Sequence, residues 1–348
     1  MPVRLNNIQY LYFFMKKILF MVLLISISTV AYSQVISGTI LDKKDNSKIC
    51  FATVYFNGTF VGTASDINGD FKLDVSKSAA MPLTISCIGY YSRTLTDFSA
   101  DKPLIIYLEP KAIEMNEIVV AAKSLARKRK ANLRLFKEEF LGMTAIAKSC
   151  KIINEQDITF NYGSDRDTLK AFASKPILIY NKALGYKITF YLDKFEYYKK
   201  STSFSYTGNI IYTEDLTTDE TNKQFYEDNR KFTYLGSRMH FFRALWANDL
   251  TSSGFEVRNS EDKNISYDNI VIKELGGIKG SLISYNYYLK YPLKMSIYYG
   301  RNLTNIEFHK SKVYFEKSGY YDYSAIIWSG EMVAKRIGDT LPYEYQPN

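Results

Sequence analysis

The sequence predicts a mainly β protein. An N-terminal seven-stranded β-sandwich is followed by an α+β domain with an antiparallel sheet and two or three helices. Three observations point there. Between Val35 and Pro110, short alternating segments recur at about 8 to 12 residues with turn residues between them, the spacing of an all-β sandwich. Thirty Tyr and 22 Phe in 348 residues favour strands, because flat side chains suit a pleated, half-buried surface. Two apolar stripes at spacings of three and four mark helices in the second half. At about 150 residues per domain, the length suggests two domains.

The N-terminus reads as a secretion signal over residues 1–33. Lys16 and Lys17 supply a basic start, Ile18 to Thr29 an apolar run, and Ala31-Tyr32-Ser33 the small residues of a cleavage site. The run is short of the roughly 20 residues that span a bilayer. Cleavage removes Arg4, Lys16 and Lys17 and lowers the net charge from +9 to +6. That mild excess reads as a solvated surface, and no nucleic-acid partner is expected. Cys50, Cys87 and Cys150 are an odd set, so at least one thiol stays free or pairs between molecules. Cys50 and Cys87 fall in the same sandwich and could pair.

The sandwich strands are expected at Ile36–Asp42, Cys50–Phe56, Phe60–Ser65, Phe71–Val75, Leu83–Ile88, Tyr91–Thr96 and Leu104–Leu108. In the second, Cys50, Ala52, Val54 and Phe56 take one face, while Phe51, Thr53 and Tyr55 take the other. Asp66-Ile67-Asn68-Gly69-Asp70 makes a sharp turn, with Asp66 able to bond backbone amides and Gly69 able to take positive φ. It lacks the twelve-residue spacing and distal Glu of a calcium loop.

These residues carry a resemblance. Gly38-Thr39-Ile40, Ala52-Thr53-Val54-Tyr55, Gly62-Thr63, Asp66 with Gly69 and Phe71, Ile88-Gly89-Tyr90 and Asn116-Glu117-Ile118-Val119-Val120 together resemble the carboxypeptidase regulatory-like domain common in Bacteroidota. The resemblance implies a transthyretin-like sandwich over residues 34–110 without catalytic groups of its own. Such domains often precede TonB-dependent outer-membrane transporters. The roughly 230 residues after Val120 are too few for a barrel of 22 strands at about ten residues each plus loops. Phrases around Asn181–Tyr186, Ser237–Leu245 and Arg336–Tyr343 resemble the uncharacterised C-terminal part that accompanies this domain elsewhere, and bring no assigned catalytic residue.

Residues 111–132 read as a basic linker, in which Lys123, Arg127, Lys128, Arg129 and Lys130 form a candidate patch for anionic lipid or glycan. A solvated helix is the plainer reading of the same run. The α+β domain is expected over 133–348. Leu133, Phe136, Phe140 and Met143 form one helical stripe, and Met239, Phe242, Leu245 and Trp246 a second, capped by Ser237. Asn181 to Gly185 turns the chain into a strand whose Tyr186, Ile188, Phe190 and Leu192 alternate with Lys187, Thr189, Tyr191 and Asp193. Further strands are expected at Phe204–Thr213, Ser281–Leu289, Lys294–Tyr299, Leu303–Phe308, Lys312–Phe315 and Tyr323–Trp328.

No constellation for catalysis, metal or cofactor emerges. A zinc carboxypeptidase site needs two His and a Glu around an open position, and only His240 and His309 are present, without that spacing. There is no Gly-x-Ser-x-Gly elbow and no phosphate loop. Cys150 lies beside Lys148 and Lys151, a setting that lowers a thiol pKa. The sequence therefore predicts a non-enzymatic exported cell-envelope protein, periplasmic or peripherally associated with the outer membrane. The sandwich acts as an adaptor, and the second domain contacts an envelope protein or a glycan. One alternative is a carbohydrate-binding module of a glycan-uptake system, with Tyr197, Tyr198, Tyr287 and Tyr288 as candidate stacking residues. The other is a hydrolase hidden in the second domain.

Overall fold

The computed structural model describes residues 35–75, 81–111, 122–163, 167–218, 221–279, 282–292 and 294–347. The expected signal segment and the Asn116–Val120 phrase lie outside them. No described helix is long and apolar enough to cross a membrane.

All seven expected sandwich strands form. β1 (Val35–Asp42), β4 (Asp70–Asp74) and β7 (Leu104–Leu108) make one sheet in the order β4-β1-β7. β2 (Thr53–Phe56), β3 (Gly62–Ala64), β5 (Leu83–Ser86) and β6 (Arg93–Leu95) make the other in the order β3-β2-β5-β6. β1 and β7 run parallel, with Gly38 opposite Leu104 and Asp42 opposite Leu108. Ile36, Ile40, Val54, Phe56, Phe71, Ile85 and Leu108 fill the space between the sheets. The turn before β4 forms as expected: Asp66 Oδ1 accepts from the Asn68 and Asp70 amides at 2.8 and 2.9 Å, and Gly69 has φ +75°.

Two details of β2 differ from expectation. It begins at Thr53, because Phe51 turns into the left-handed region at φ 57° and leaves its ring 68% exposed. Its outward Tyr55 is also fully buried, since the second half of the protein covers that face. Alternation fails wherever a sheet is covered on both sides.

The second half holds two cores. The first lies on a six-stranded antiparallel sheet of β8 (Cys150–Ile152), β9 (Ile158–Tyr162), β10 (Thr168–Ala173), β11 (Ile177–Asn181), β12 (Tyr186–Tyr198) and β13 (Ser203–Asp215). Its order is β8-β11-β12-β10-β9, and β13 pairs along the other side of β12. The expected faces of β12 hold: Tyr186, Ile188, Phe190 and Leu192 are buried, and Lys187 is exposed. Helix α1 (Ala122–Leu141) packs on this sheet through Phe136 and Phe140, whose rings stack at 4.9 Å. The helix starts at Ala122, so residues 122–132 form its first half, in line with the solvated helix that was the plainer reading of the basic run. Arg129 fastens this half, donating to the Glu155 and Ile158 carbonyls at 2.8 and 2.7 Å. Met143 leaves the expected stripe, because Gly142 at φ +107° ends the helix and Met143 is 54% exposed. A one-turn helix α2 (Ala145–Lys148) follows, capped by Thr144.

Helix α3 (Lys223–Tyr234) buries Tyr226, Arg230, Thr233 and Tyr234. Arg230 donates to the Leu184 carbonyl at 2.7 Å and to Asp215 at 2.8 Å, and stacks 3.8 Å from the Tyr186 ring. Burial pushes the Asp215 carboxyl up, but the Arg230 and Thr217 hydrogen bonds outweigh it and hold the group below its usual range.

The second core gathers on helix α4 (Arg238–Ala247), where Ser237 Oγ accepts from the His240 amide at 3.1 Å, the cap read from the sequence. Phe241, Phe242 and Leu245 bury between two sheets. One holds β14 (Phe255–Arg258), β17 (Met295–Tyr299), β18 (Asn302–Phe308) and β20 (Ile326–Gly330), in the order β14-β17-β18-β20. The other holds β15 (Val271–Lys279), β16 (Leu282–Leu289) and β19 (Val313–Phe315), in the order β15-β16-β19. One-turn helices α5 (Tyr267–Ile270) and α6 (Glu331–Ala334) complete the fold.

His240 gives this core a pH response. Its ring sits 4.7 Å from Tyr234 and 4.8 Å from Phe255, and its Nδ1 accepts from the Gly236 amide at 3.2 Å. Burial, then the charges of Lys335 and Arg243, push its pKa down from 6.5 to about 4. Above pH 6.5 the ring is neutral whether the chain is folded or not, and the full stability is present. Between 6.5 and 4 the unfolded chain takes up a proton that the folded chain refuses, so stability falls as pH falls. Thermal melting should therefore drop between pH 7 and pH 4.5, and His240→Gln should make that drop shallower. An unchanged slope in the variant would refute the assignment.

Candidate ligand cavity at the domain junction

The sandwich is joined to the second half by strand pairing at the tip of the β2–β3 hairpin. Gly58 N donates to Ile210 O at 2.8 Å, and Tyr212 N donates to Thr59 O at 2.9 Å, which makes Thr59 a parallel bridge partner of Ile211. Asn57 Oδ1 accepts from the Ile210 amide at 2.7 Å. The C-terminal segment closes over the same tip: Tyr343 N donates to Gly58 O at 2.9 Å, and Phe60 N donates to Glu344 Oε1 at 2.8 Å. Gly58 is required here. Its φ is +80°, and a Cβ would lie 2.7 Å from the Tyr343 ring.

A second contact runs along the covered face. Tyr55 stacks on Tyr191 at 5.7 Å, Thr53 and Tyr191 share a hydrogen bond at 2.6 Å, and Lys111 pairs with Asp193 at 3.1 Å. Backbone pairing, ring stacking and a part-buried ion pair hold the two halves as one body.

Beside the hairpin tip lies a cavity of about 230 Å³. Gly58 and Asn57 form one side, Tyr206 and Tyr212 of β13 another, and Arg238, Tyr321, Arg336, Asp339 and Tyr343 the rest. Tyr323 is its one exposed lining residue, at 54%.

The cationic side chains are held by backbone carbonyls. Arg238 donates to Met332 O and Lys335 O at 3.1 and 2.8 Å. Lys335 donates to Thr233 O and Leu235 O, both at 2.8 Å, at the end of α3. Arg336 Nη1 donates to the Glu138 and Glu139 carbonyls at the end of α1 and pairs with the Glu139 carboxylate at 2.6 Å. Such carbonyls would otherwise be left without donors at a helix C-terminus. Asp339 Oδ1 accepts from Thr144 at 2.7 Å.

Two enclosed polar atoms of lining residues, Arg336 Nε and Asp339 Oδ2, have no hydrogen-bond partner, while the Tyr212 hydroxyl lies against Thr340. Burial pushes the Tyr212 phenol well above its usual range, partly offset by Thr340. Burial also raises the Asp339 carboxyl, an effect that Thr144 opposes, and lowers the Lys335 ammonium.

The residues singled out from the sequence lie elsewhere. Tyr197 packs against the first core, and Tyr198 donates to Glu196 at 2.5 Å. Tyr287 packs between Trp246 and Phe315, at 5.6 and 6.0 Å. Tyr288 lies 5.8 Å from Tyr314, with Lys312 Nζ 4.0 Å over its ring. The four belong to two sheets, and none lines the cavity. Of the basic patch, Arg127, Lys128 and Lys130 are exposed on α1, Arg129 is spent on carbonyls, and the Lys123 side chain is outside the described residues. Cys150 is corrected: burial, with Asp339 nearby, pushes its thiol up to about 12, and the neighbouring lysines do not offset it. Cys50 and Cys87 carry free thiols in this structure. His309 is exposed and far in sequence from His240, which is enclosed by rings.

The sequence signal for the cavity was thin. Its parts come from five separate stretches, brought together by long-range pairing. Nothing in the spacing of Arg336-Ile337-Gly338-Asp339 ties that phrase to Asn57-Gly58. No curated protein matches the chain. Residues 36–120 match the family model of the CarboxypepD_reg-like domain, and the sandwich beside the cavity is a domain of that family.

Proposed function

We propose that this protein is a non-enzymatic, exported cell-envelope protein that contacts its ligand at the junction of its two halves. One observation carries the reading: the hairpin tip of the CarboxypepD_reg-like domain forms a wall of the cavity, so both halves build one surface. In this reading the sandwich is a fixed part of the contact body and not a separate adaptor on a tether. The protein stands in the periplasm or at the outer membrane and holds an envelope protein or a glycan. The Tyr-rich lining and the cations behind it favour a glycan, since ring faces cover sugar C–H surfaces while Arg and Asp reach hydroxyls and acidic groups.

The test is a glycan array run with the full chain, beside co-purification from an envelope fraction. A reproducible glycan or partner, weakened by Gly58→Val at the hairpin tip, supports the proposal. Absence of any hit in both, or turnover of a peptide, ester or sugar substrate by the purified chain, overturns it.

A further inference from the structure

We propose that the outer ridge of α1 is a docking surface for an anionic lipid bilayer. The inference goes beyond the junction reading and does not depend on it.

The spacing of the cations sets the ridge. Arg127, Lys130 and Arg134 follow one another at steps of three and four, so they stand on one face of the helix. Lys123 holds the position four residues earlier in the same row, and Lys128 flanks it. Arg129, Phe136 and Phe140 share the face turned to the body. Arg129 is held there by the Glu155 and Ile158 carbonyls, and the two rings by the first core. At about 1.5 Å per residue, the row from 123 to 134 runs about 16 Å along the helix.

The row lacks counter-charges. Among the described residues, Arg127, Lys128 and Lys130 have no acidic partner. Arg134 meets Glu138 at 3.8 Å, but its side chain stays 79% exposed. No acid occurs from Ala122 to Lys137. Exposed cations elsewhere are answered: Lys187 by Glu214, Lys263 by Glu261, Lys294 by Glu307 and Lys310 by Asp322. The placement also works against the helix. Cations in its first turns face the positive end of the helix dipole, where an acid would stabilise it. Helix stability therefore does not account for these charges, and a counter-charge outside the chain does.

Shape decides between anionic occupants. A ligand that is enclosed needs a concave site with walls on its flanks. The cations here crown a convex ridge, with Ala126 and Ala131 exposed between them. A ridge of that kind meets a plane of charge along its whole length. The apolar face of α1 is taken up by the core, so the contact is made by charge at the headgroups without insertion of the helix. Binding is then reversible and salt-sensitive, because the screening length is about 10 Å at 0.1 M salt. The contact also sets an orientation. α1 packs on the face of β12 that carries Phe190, and the sandwich packs on the face that carries Tyr191. A bilayer under α1 leaves the sandwich turned away from it.

The test is co-sedimentation of the full chain with vesicles of phosphatidylglycerol and phosphatidylcholine in equal parts, against vesicles of phosphatidylcholine alone. The expected result is retention by the anionic vesicles at about 0.05 M salt, lost at about 0.5 M, and none by the neutral ones. Arg127→Gln and Lys130→Gln should each lower the partition about fivefold, and the double variant about twentyfold. Lys72→Gln combined with Lys102→Gln removes the same charge from the exposed sandwich surface and should lower it by less than about twofold. All four positions are exposed, so the variants should melt with the parent, and a loss of binding is not a loss of fold. Equal retention by neutral vesicles, retention that survives high salt, no retention, or an equal loss in the sandwich variant would overturn the proposal. Retention on heparin without retention on vesicles would put a soluble polyanion on the ridge and overturn it too. Vesicle failure beside a positive glycan array would remove the bilayer assignment and leave the junction reading standing.

Discussion

Gly58→Val should destabilise the protein by about 3 kcal/mol and separate its unfolding into two steps. Two costs add. A β-branched residue at φ +80° pays about 1–2 kcal/mol for the left-handed backbone. Its Cβ would also meet the Tyr343 ring at 2.7 Å, and overpacking of that kind costs about 1–3 kcal/mol. Moving the tip breaks the Gly58–Ile210, Thr59–Tyr212 and Tyr343–Gly58 backbone bonds together. The chain offers two separate probes of the outcome. Its only two tryptophans, Trp246 and Trp328, belong to the second half, and Cys87 is a half-buried thiol of the sandwich whose alkylation can be followed by peptide mapping apart from exposed Cys50 and from Cys150 of the second half. In urea, tryptophan fluorescence and thiol alkylation should report one midpoint for the parent and two for the variant. Coincident midpoints in Gly58→Val would show that the tip does not couple the halves.

Phe140→Ala should cost about 4 kcal/mol, within the 3–5 kcal/mol usual for a buried Phe cut back to Ala. The Phe140 ring is fully buried and meets Phe136 and Phe190 at 4.9 Å and Tyr206 at 5.5 Å. Removing it opens a hole between α1 and the six-stranded sheet that three rigid rings close poorly. Tyr206 also lines the junction cavity, so the loss of packing reaches the cavity wall. Ile327→Ala, at a half-exposed position on β20, is the control and should change stability by no more than about 0.5 kcal/mol. A loss below about 2 kcal/mol at Phe140 would mean that the sheet repacks around the gap.

The sandwich was legible because its strands are short, alternate cleanly and turn on Gly and Asp, so each element states itself locally. Ser237 and the stripe Phe242–Leu245 were legible for the same reason. Helix α3 was not, because its buried face is Tyr226, Arg230, Thr233 and Tyr234, a polar set with no apolar period. Arg230 reads as a surface residue until Asp215 and the Tyr186 ring enclose it. The helix start at Ala122 was not legible in the apolar stripe, which begins only at Leu133, although a solvated helix was the plainer reading of the basic run before it. The cavity was illegible for a topological reason. Its wall joins Asn57 to Tyr343 across nearly the whole chain, and no local pattern encodes such a pairing.

The parallel partnership of β1 and β7 also sets how the protein bears mechanical load. The chain enters the sandwich at one pole through Val35 and leaves by the opposite pole beyond Leu108. Tension along the chain would pull these neighbours past each other, straining five paired positions at once instead of unzipping them singly. A body anchored at one end and gripping a polymer at the other would gain a stiff link from that geometry. Force spectroscopy on a chain held at residues 35 and 109 should record one sharp rupture, and a gradual, low-force extension would contradict this geometry.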